Sequence, residues 1–376
     1  MLKIKSCKKI HYGELAEGCK ECILGRKSVL FITGKCHYQC FYCPISDDKR
    51  MVDIVKINEK IIHDPDENTG FEEIVREIKL CNSWGVGITG GDPLLVVERT
   101  SRYIRSLKKE FGKKFHTHLY TSLQCVTSER LNEVVRAGLD EIRFHVPIED
   151  KTFWSRLELA KDNILKRGVE IPAIPGTKSL LKELLDYIKS LGFISFVNIN
   201  ELEFSDVSDN QLTDKGFYVK DQLSYAIENS EDLARWAVDY GRSIDLPVHF
   251  CSASFKDDIQ LRNRLLLRAE NIRKPYDDLD DDGLLVRGEI RLNSVGLAEE
   301  FSLKEVFDTL KEYYEIPDEM IFLDDDRILI AGFILEEIFR DLQDHKEDFL
   351  FSDYIEASII KEYPTDDHLL IEKHPL

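Results

Sequence analysis

The sequence predicts an α/β protein in which a partial (β/α)6-type barrel precedes a small acidic α+β domain. Apolar, β-branched runs alternate with segments of helical periodicity from residue 29 to residue 252. After Pro275 the predicted order changes to strand-helix-strand-strand-helix-strand. The balance of charged residues changes at the same place. These three observations predict two domains of different architecture.

The first domain is predicted from a regular alternation of strands and helices. Apolar runs that end at glycine or polar residues predict strands at 29–33, 87–89, 116–121, 141–146, 169–174, 196–204 and 247–252. Apolar residues at spacings of three and four predict helices at 71–81, 103–107, 129–137, 180–191 and 232–242. About six such units form a parallel sheet with right-handed crossovers, as an open or closed β/α barrel.

The acidic character of the chain is confined to its C-terminal part. The 376 residues carry a net charge of −19, and residues 274–376 hold 29 acidic and 10 basic side chains, so the first 273 residues are neutral. A split βαβ arrangement is predicted there from strands at 283–292, 320–323, 327–331 and 354–363 and helices at 302–314 and 333–345. We predict four segments, namely a cysteine-containing N-terminus at 1–28, the barrel at 29–252, a basic helical connector at 253–275 and the acidic domain at 276–376.

Composition argues against a membrane-spanning chain. No run approaches about 18 consecutive apolar residues, and residues 1–7 lack the apolar core of a signal peptide. We therefore expect a cytoplasmic protein with no membrane partner. Nine cysteines in a reducing compartment indicate metal or redox chemistry rather than disulfides.

Three cysteines follow directly on the first predicted barrel strand. Cys36, Cys40 and Cys43 have the spacing C-x3-C-x2-C in a loop that begins at Gly34. Iron–sulfur clusters normally take four cysteine ligands, so three cysteines leave one iron open to a chelating cofactor. A structural zinc or a ferredoxin-like cluster is the alternative, although zinc sites usually use paired C-x2-C units.

This spacing resembles the signature of the radical S-adenosylmethionine (SAM) superfamily, and Tyr42 matches the aromatic residue often found before the third cysteine. The resemblance implies a [4Fe–4S] cluster on the three cysteines, with SAM chelated at the open iron. It implies an enzyme that cleaves SAM with one electron to methionine and a 5′-deoxyadenosyl radical. A reductant such as a flavodoxin or a ferredoxin-like protein would be a partner.

A second motif supports the resemblance. Gly90-Gly91-Asp92-Pro93 follows the second barrel strand and is similar to the GGE-type motif of the superfamily, which receives the SAM amino group. Taken alone it predicts only a turn, but barrel enzymes place their chemistry at the carboxyl ends of parallel strands. By the same resemblance Ser122, Arg143 and His145 are expected to contact the ribose and the carboxylate of SAM.

The sixth predicted strand offers two pairs of polar side chains. Asn198 and Asn200 lie on one face, and Glu201 and Glu203 lie on the other. We expect one pair to face the barrel cavity and contact substrate, with capping or loop hydrogen bonds as the alternative role.

Four further cysteines predict a second metal centre. Cys19 and Cys22 form a C-x2-C pair, Cys7 precedes them, and Cys251 ends the last predicted barrel strand. Closing a barrel brings its first and last segments together, so four thiolates are available for zinc, mononuclear iron or an auxiliary cluster. The alternative is that Cys7 and Cys251 are ordinary buried thiols.

The segment 256–274 carries a basic helix face that includes Arg262, Arg264 and Arg268. It predicts either binding of an anionic substrate, such as an RNA backbone, or docking of the acidic domain that follows. An acidic partner in the same chain favours docking.

From Cys19 to Pro275 the chain resembles the archaeal group related to pyruvate formate-lyase activating enzyme. The residues that carry this resemblance include Gly18-Cys19-x2-Cys22, the cysteine loop ending Cys43-Pro44, and the segments 200–203 and 260–264. It implies hydrogen abstraction from an unidentified substrate, a protein or an RNA, or activation of a glycyl-radical enzyme. The N-terminal cysteines and the acidic tail depart from a minimal activase. The alternative function is an iron–sulfur or zinc protein that regulates, or binds RNA, without turnover.

Overall fold

The structure, a computed structural model, describes residues 10–162, 166–205, 211–221, 224–293, 302–345, 349 and 351–376. The chain forms two units, Met1–Arg264 and Leu265–Leu376, and the division falls inside one helix. The predicted connector at 253–275 is therefore shared between the units. Cys7, a predicted ligand of the second metal centre, lies outside the described residues.

A ten-stranded sheet forms the centre of the first unit. Its strands are β1 (Ile10–Tyr12), β2 (Lys27–Phe31), β3 (Val55–Ile57), β4 (Lys60–Ile62), β5 (Gly85–Thr89), β6 (His116–Ser122), β7 (Glu141–His145), β8 (Lys166–Ala173), β9 (Phe196–Glu201) and β10 (Val248–Cys251). Their order is β1-β10-β9-β8-β7-β6-β5-β2-β3-β4. β2 and β5 to β10 are parallel, whereas β1 and the β3–β4 hairpin pair antiparallel at the two ends. In the described strands β1 does not pair with β4, so the sheet is open and the predicted partial barrel is confirmed.

Helices connect the parallel strands and bury one apolar face each. The helices of this unit are α1 (Glu17–Ile23), α2 (Asn68–Leu80), α3 (Val97–Phe111), α4 (Ser128–Ala137), α5 (Lys178–Leu191), α6 (Ser230–Ser243) and α7 (Ala253–Phe255), and α8 (Arg262–Ile272) spans the division. Tyr103, Ile104 and Leu107 are buried on α3 at helical spacing. Gly138 and Gly192 end α4 and α5 with φ of 104° and 70°. Among the residues described, none of the helices combines the length and the apolar surface that crossing a membrane requires.

The second unit is built on an antiparallel sheet. Its elements are β11 (Asp278–Leu279), β12 (Leu285–Leu292), α9 (Leu303–Tyr313), β13 (Ile321–Leu323), β14 (Ile328–Ile330), α10 (Gly332–Asp344), β15 (Ile355–Glu362) and β16 (Leu370–Pro375). The order is β13-β14-β12-β15-β16, and β11 also pairs with β12. β14 lies between β12 and β13, the strands that flank α9 in the chain, which is the strand order of a split βαβ arrangement. This unit has its own core, which includes Ile290, Leu310 and Leu335.

Candidate active site

The cluster loop, defined as residues 34–44, starts where β2 ends. A β-carbon at Gly34 would lie 1.7 Å from the carbonyl oxygen of Lys49. The Gly34 N–H donates to the Val52 carbonyl at 2.8 Å, and the Gly34 carbonyl accepts from the Met51 N–H at 2.9 Å. Only glycine permits so close an approach of two backbone segments. Gly34 therefore sets the point at which the three cysteines leave the sheet.

The cluster loop carries three half-buried thiols, Cys36, Cys40 and Cys43, none of which forms a disulfide. The Tyr38 N–H donates to Cys36 Sγ at 3.4 Å, and the Cys43 N–H donates to the Cys40 carbonyl at 3.1 Å. Burial raises the pKa of Cys36 to about 11 and the pKa of Cys40 to about 12, where neighbouring thiols add to the effect. A bound cation opposes such shifts by stabilising thiolates. The loop therefore has the donor set of a metal-cluster site.

His145 and Tyr42 face the second thiol of the loop. His145 is the last residue of β7, and its Nε2 lies 3.0 Å from the Tyr42 hydroxyl and 3.8 Å from Cys40 Sγ. Burial lowers the pKa of His145, so its imidazole is neutral at neutral pH. The structure thus brings two predicted cofactor-binding residues to the cluster loop.

The glycine motif packs directly on the start of the cluster loop. The Gly91 N–H donates to the Thr33 carbonyl at 2.6 Å, and the Asp92 N–H donates to the Lys35 carbonyl at 2.8 Å. A β-carbon would lie 2.3 Å from the Thr33 carbonyl oxygen if placed on Gly90, and 2.1 Å from the Lys35 carbonyl oxygen if placed on Gly91. Both glycines are required for this contact, and the two motifs form one site.

The carboxylate of Asp92 is buried and holds the end of β6. Its Oδ2 accepts from the Ser122 N–H at 2.9 Å and from the Ser122 hydroxyl at 2.8 Å. Its Oδ1 accepts from the Thr121 hydroxyl at 2.8 Å and from the Leu94 N–H at 3.0 Å. Asp92 also caps the short 3-10 helix that begins at Pro93. Its hydrogen bonds lie within the protein, so contact of this carboxylate, or of Ser122, with SAM stays a prediction.

Asp53 and Arg99, which the sequence analysis does not identify, hold the start of the cluster loop in place. Asp53 accepts from the Thr33 hydroxyl at 2.9 Å, from Lys35 Nζ at 3.2 Å and from Arg99 at 2.8 Å. Hydrogen bonding to Arg99 lowers the pKa of Asp53 to about 2. Arg99 also donates to the Ile32 carbonyl at 3.3 Å. No spacing pattern connects these residues, because they lie on separate segments of the chain.

Arg143 belongs to a buried set that we name the interior polar network: Cys19, Glu21, Lys27, His116, Tyr120, Glu141, Arg143, Glu170 and Asn198. The Arg143 guanidinium donates to Glu141 at 2.6 Å, to Glu170 at 2.9 Å and to Cys19 Sγ at 3.4 Å. Lys27, His116 and Glu141 begin β2, β6 and β7. The network therefore extends to the amino ends of the strands, opposite the cluster loop. Contact of Arg143 with SAM stays a prediction.

The two polar pairs of the sixth predicted strand have different contacts, and Glu203 lies beyond the end of β9, where it pairs with Lys256. Asn198 and Asn200 donate to the Glu170 carboxylate at 2.9 and 3.0 Å, so this pair faces the interior polar network. Glu201 instead accepts from the Ala253 N–H at 2.9 Å. The glutamate therefore contacts the segment that follows β10.

Two of the cysteines predicted to bind a second metal, Cys19 and Cys251, have hydrogen-bond partners within the protein. Cys19 Sγ accepts from Asn198 Nδ2 at 3.3 Å as well as from the network guanidinium, and Cys251 Sγ accepts from Gln260 Nε2 at 3.5 Å. Burial raises the pKa of Cys22 to about 11. Within the part of the chain that is described, no three His, Cys, Asp or Glu side chains converge on a point where they could hold a single metal ion. This holds for the cluster-loop cysteines as well, although thiolates that bind different irons of one cluster need not converge on a single ion. The second centre stays a prediction without support from this geometry.

The arginines of the predicted basic segment have partners within the chain. Arg264 donates to the Asn58 side chain at 3.2 Å and pairs with Glu59. Arg268 is buried and donates to the Pro364 carbonyl. The RNA hypothesis requires a solvated basic face, which these two arginines do not supply. Docking of the acidic domain on this segment stays a prediction.

Comparison with known proteins places this site in a family. The radical SAM superfamily matches residues 30–200, a range that contains the cluster loop, the glycine motif and His145. Residues 283–376 match a domain of unknown function, DUF8061. The chain belongs to the radical SAM superfamily and is an enzyme of that class. It is 41% identical over 97% of its length to a Methanocaldococcus jannaschii protein, 94% of which is covered, whose name assigns it provisionally to the glycyl-radical enzyme activating enzymes.

Two solved structures of the radical SAM methyltransferase TsrM from Kitasatospora setae also match. One was solved with tryptophan and a SAM analogue, and the other with cobalamin and a [4Fe–4S] cluster. They share 10% and 11% identity with this chain, cover 54% and 50% of it, and give TM-scores of 0.37 and 0.35. The chain spans less than half of either structure, 41% and 36%. Because both TM-scores are low, the assignment to the superfamily does not rest on these two structures.

The residues present fit the cofactors that the superfamily implies, a [4Fe–4S] cluster and SAM. Three free thiols on one loop supply three corners of a four-iron cluster and leave the fourth iron open. The glycine motif is hydrogen-bonded to the carbonyls of Thr33 and Lys35, at the start of the loop that carries the thiols.

Proposed function

We propose that this chain is a radical SAM enzyme of the activating-enzyme type, with a protein as its substrate. Cys36, Cys40 and Cys43 hold the cluster in this proposal, and the segment 90–93 seats SAM. The observation that carries it is the backbone contact between the cluster loop and the glycine motif. The identity to the archaeal relative supports the activating type.

When bound on the cluster loop and the segment 90–93, the cluster and SAM would supply one-electron reductive cleavage of SAM and, through it, hydrogen abstraction from the substrate. The chain's own residues bind and orient these two cofactors. Burial raises the pKa of Tyr42, so the phenol keeps its proton, and its hydroxyl lies within hydrogen-bond distance of His145 Nε2, at 3.0 Å. Asp53 holds Thr33 and Lys35 at the start of the cluster loop, and the Asp92 carboxylate holds the glycine motif to the end of β6. We further propose a flavodoxin or ferredoxin-like electron donor and a cytoplasmic location.

Alanine variants of the three cysteines test the cofactor part of the proposal. Anaerobically reconstituted protein with dithionite and SAM is expected to form 5′-deoxyadenosine, and Cys36→Ala, Cys40→Ala and Cys43→Ala should each abolish it together with the iron and sulfide content. Cys81→Ser is the matched control, because Cys81 is buried away from the loop, beside Glu77. Activity that survives loss of a loop cysteine contradicts the assignment. Bound cluster and SAM without any deoxyadenosine would favour a regulatory protein.

Deuterium transfer tests the substrate class. A glycyl-radical enzyme encoded near this chain, prepared with α-deuterated glycine, is expected to pass deuterium into 5′-deoxyadenosine. If deoxyadenosine forms but carries no deuterium, the activating role is contradicted while the SAM chemistry stands.

A further inference from the structure

A cavity of 310 Å³ opens at the carboxyl ends of β9 and β10. Its walls include three carboxylates, Glu201, Asp221 and Glu231, against two cations, Lys220 and Arg235. Three serines, His249, Ile10, Phe250 and Phe255 complete the lining. This volume lies at the lower end of the range for small-molecule sites, about 300–1,000 Å³. The cavity therefore suits a group of the size of one or two amino-acid residues.

Glu201 is a buried carboxylate of this cavity with a hydrogen-bond donor on only one of its two oxygens. Its side chain is 4% exposed. Oε2 accepts from the Ala253 N–H at 2.9 Å, but Oε1 has no hydrogen-bond donor among the described residues. The nearest cation, Lys220 Nζ, lies 4.0 Å from Oε1. A buried oxygen left without a donor costs about 1–3 kcal/mol unless a ligand supplies one.

The two cations of the cavity pair more closely with Glu231 than with Glu201. Glu231 pairs with both Lys220 and Arg235, whereas Lys220 Nζ stays 4.0 Å from Glu201 Oε1. With three carboxylates and two cations, the charged lining carries one net negative charge when its carboxylates are ionised. Phe250 and Phe255, 5% and 7% exposed, add aromatic surface that attracts cations.

One segment connects this cavity with the cluster loop. Phe41, between the second and third cysteines, stacks on Phe217 with ring centroids 6.2 Å apart. The Phe41 carbonyl accepts from the Gln211 N–H at 3.1 Å, and Lys215 Nζ lies 4.7 Å from the ring centroid. The same segment then supplies Lys220 to the cavity. An occupant of the cavity is thus held at the edge of the sheet that carries the cluster loop.

We propose that this cavity binds an ammonium group of the substrate, with Glu201 Oε1 as its acceptor and the two phenylalanine rings beside it. The ligand class is a primary amine on an aliphatic chain, of the kind that a lysine side chain presents. This inference rests on the proposed function, because it takes the occupant to be part of the molecule that loses hydrogen.

Binding of 1,5-diaminopentane tests the site, with 1,5-pentanediol and glutarate as neutral and anionic matches. Ligand-observed NMR on the full chain at low salt is expected to show saturable binding of the diamine and weaker binding of the other two. Glu201→Gln should weaken diamine binding about tenfold, as loss of a charge-assisted hydrogen bond predicts. Glu228→Gln, on the exposed neighbouring segment, removes the same charge and should change nothing.

Lys220→Met keeps the test decisive if Glu201→Gln does not fold. Lys220 is 42% exposed and competes for the Glu201 carboxylate, so its removal should tighten diamine binding about threefold. Unchanged binding in both variants, or preference for glutarate, overturns the ammonium site. Failure of the wild-type chain to form 5′-deoxyadenosine would instead overturn the proposed function and leave the diamine result standing.

Discussion

At the scale of single residues, the shorter acid in Gly90-Gly91-Asp92 matches the space available to it. Asp92 is 0% exposed and its carboxylate accepts four hydrogen bonds. Asp92→Glu adds a methylene to a filled site and should lower the free energy of unfolding by about 1–3 kcal/mol, although it restores the family's more common residue. Urea denaturation measures the change. Asp66→Glu, at a side chain 60% exposed, is the control and should stay within about 0.5 kcal/mol.

The ionised Asp53 carboxylate stabilises the start of the cluster loop, and this stabilisation depends on pH. Its pKa falls from 3.8 to about 2, chiefly through hydrogen bonding to Arg99. The ionised form is therefore favoured by folding, and its stabilisation is complete above the unfolded pKa near 4 and lost as the pH falls toward 2. Asp53→Asn should cost about 1 kcal/mol at pH 6, discounted because the side chain is 32% exposed. The cost should shrink below about pH 4.

The free energy of unfolding of the metal-free chain, measured at several pH values, gives the stability that ionised Asp53 contributes. Asp162→Asn, at an exposed position, serves as the control. A cost of Asp53→Asn that stays constant from pH 6 to pH 3 would show that the effect is steric and that the ion pair contributes nothing.

The cysteines and glycines of the site could be predicted from sequence, but the residues that hold them could not. Cys36, Cys40 and Cys43 are close along the chain, so their spacing alone indicates a shared ligand. Asp92 instead meets its Ser122 partner 30 positions away, and Arg99 meets Asp53 at a separation of 46. Such contacts depend on strand order, which a single sequence does not encode locally.

At the scale of elements, the sequence predicts most of the strands and helices that bury apolar residues and does not predict several others. β5 and β9 are largely buried, and the apolar residues within each of them predict a strand. β1, β3 and β4 have three residues each and carry no periodic signal. Helix α1 was missed because it buries Cys19 and Glu21 against polar partners. Its buried face is polar, so hydrophobic periodicity does not detect it.

The packing of α1 depends on a buried ion pair. Lys27 Nζ donates to Glu21 at 2.8 Å, and their side chains are 3% and 8% exposed. Burial lowers the pKa of Lys27 and raises the pKa of Glu21, so each charge depends on the other. Lys27→Met should lower the free energy of unfolding by about 3–5 kcal/mol, because it leaves a buried carboxylate unpaired.

Urea denaturation of a double-mutant cycle checks this ion pair. Adding Glu21→Gln to Lys27→Met should recover part of the loss. Lys20→Met is the matched control on the same helix, since Lys20 is 50% exposed and pairs with Glu17 at 3.3 Å. It should cost less than about 1 kcal/mol. A double variant no more stable than Lys27→Met alone would mean that the pair is not coupled.

At the scale of the whole molecule, the N-terminal and C-terminal parts of the chain carry very different net charges. The first 273 residues have 41 charges of each sign, whereas residues 274–376 carry 29 acidic and 10 basic side chains. Repulsion among exposed carboxylates destabilises the second unit, and salt screens it. The buried pair of Arg287 with Asp277, at 2.9 Å, is screened much less. Salt should therefore stabilise the second unit and leave the first nearly unchanged.

Hydrogen exchange read by mass spectrometry can follow both units in one sample. Raising NaCl from about 20 mM to about 300 mM, which cuts the screening length severalfold, should slow exchange in peptides from β12 and β15 and change β5 and β6 little. Sodium sulfate, which also strengthens apolar burial, should slow exchange in both units and so serves as the control. Equal slowing of both units by NaCl would contradict charge repulsion as the cause. The cause would then act on both cores alike, and the segregated charge would have no measurable part in the stability of the second unit.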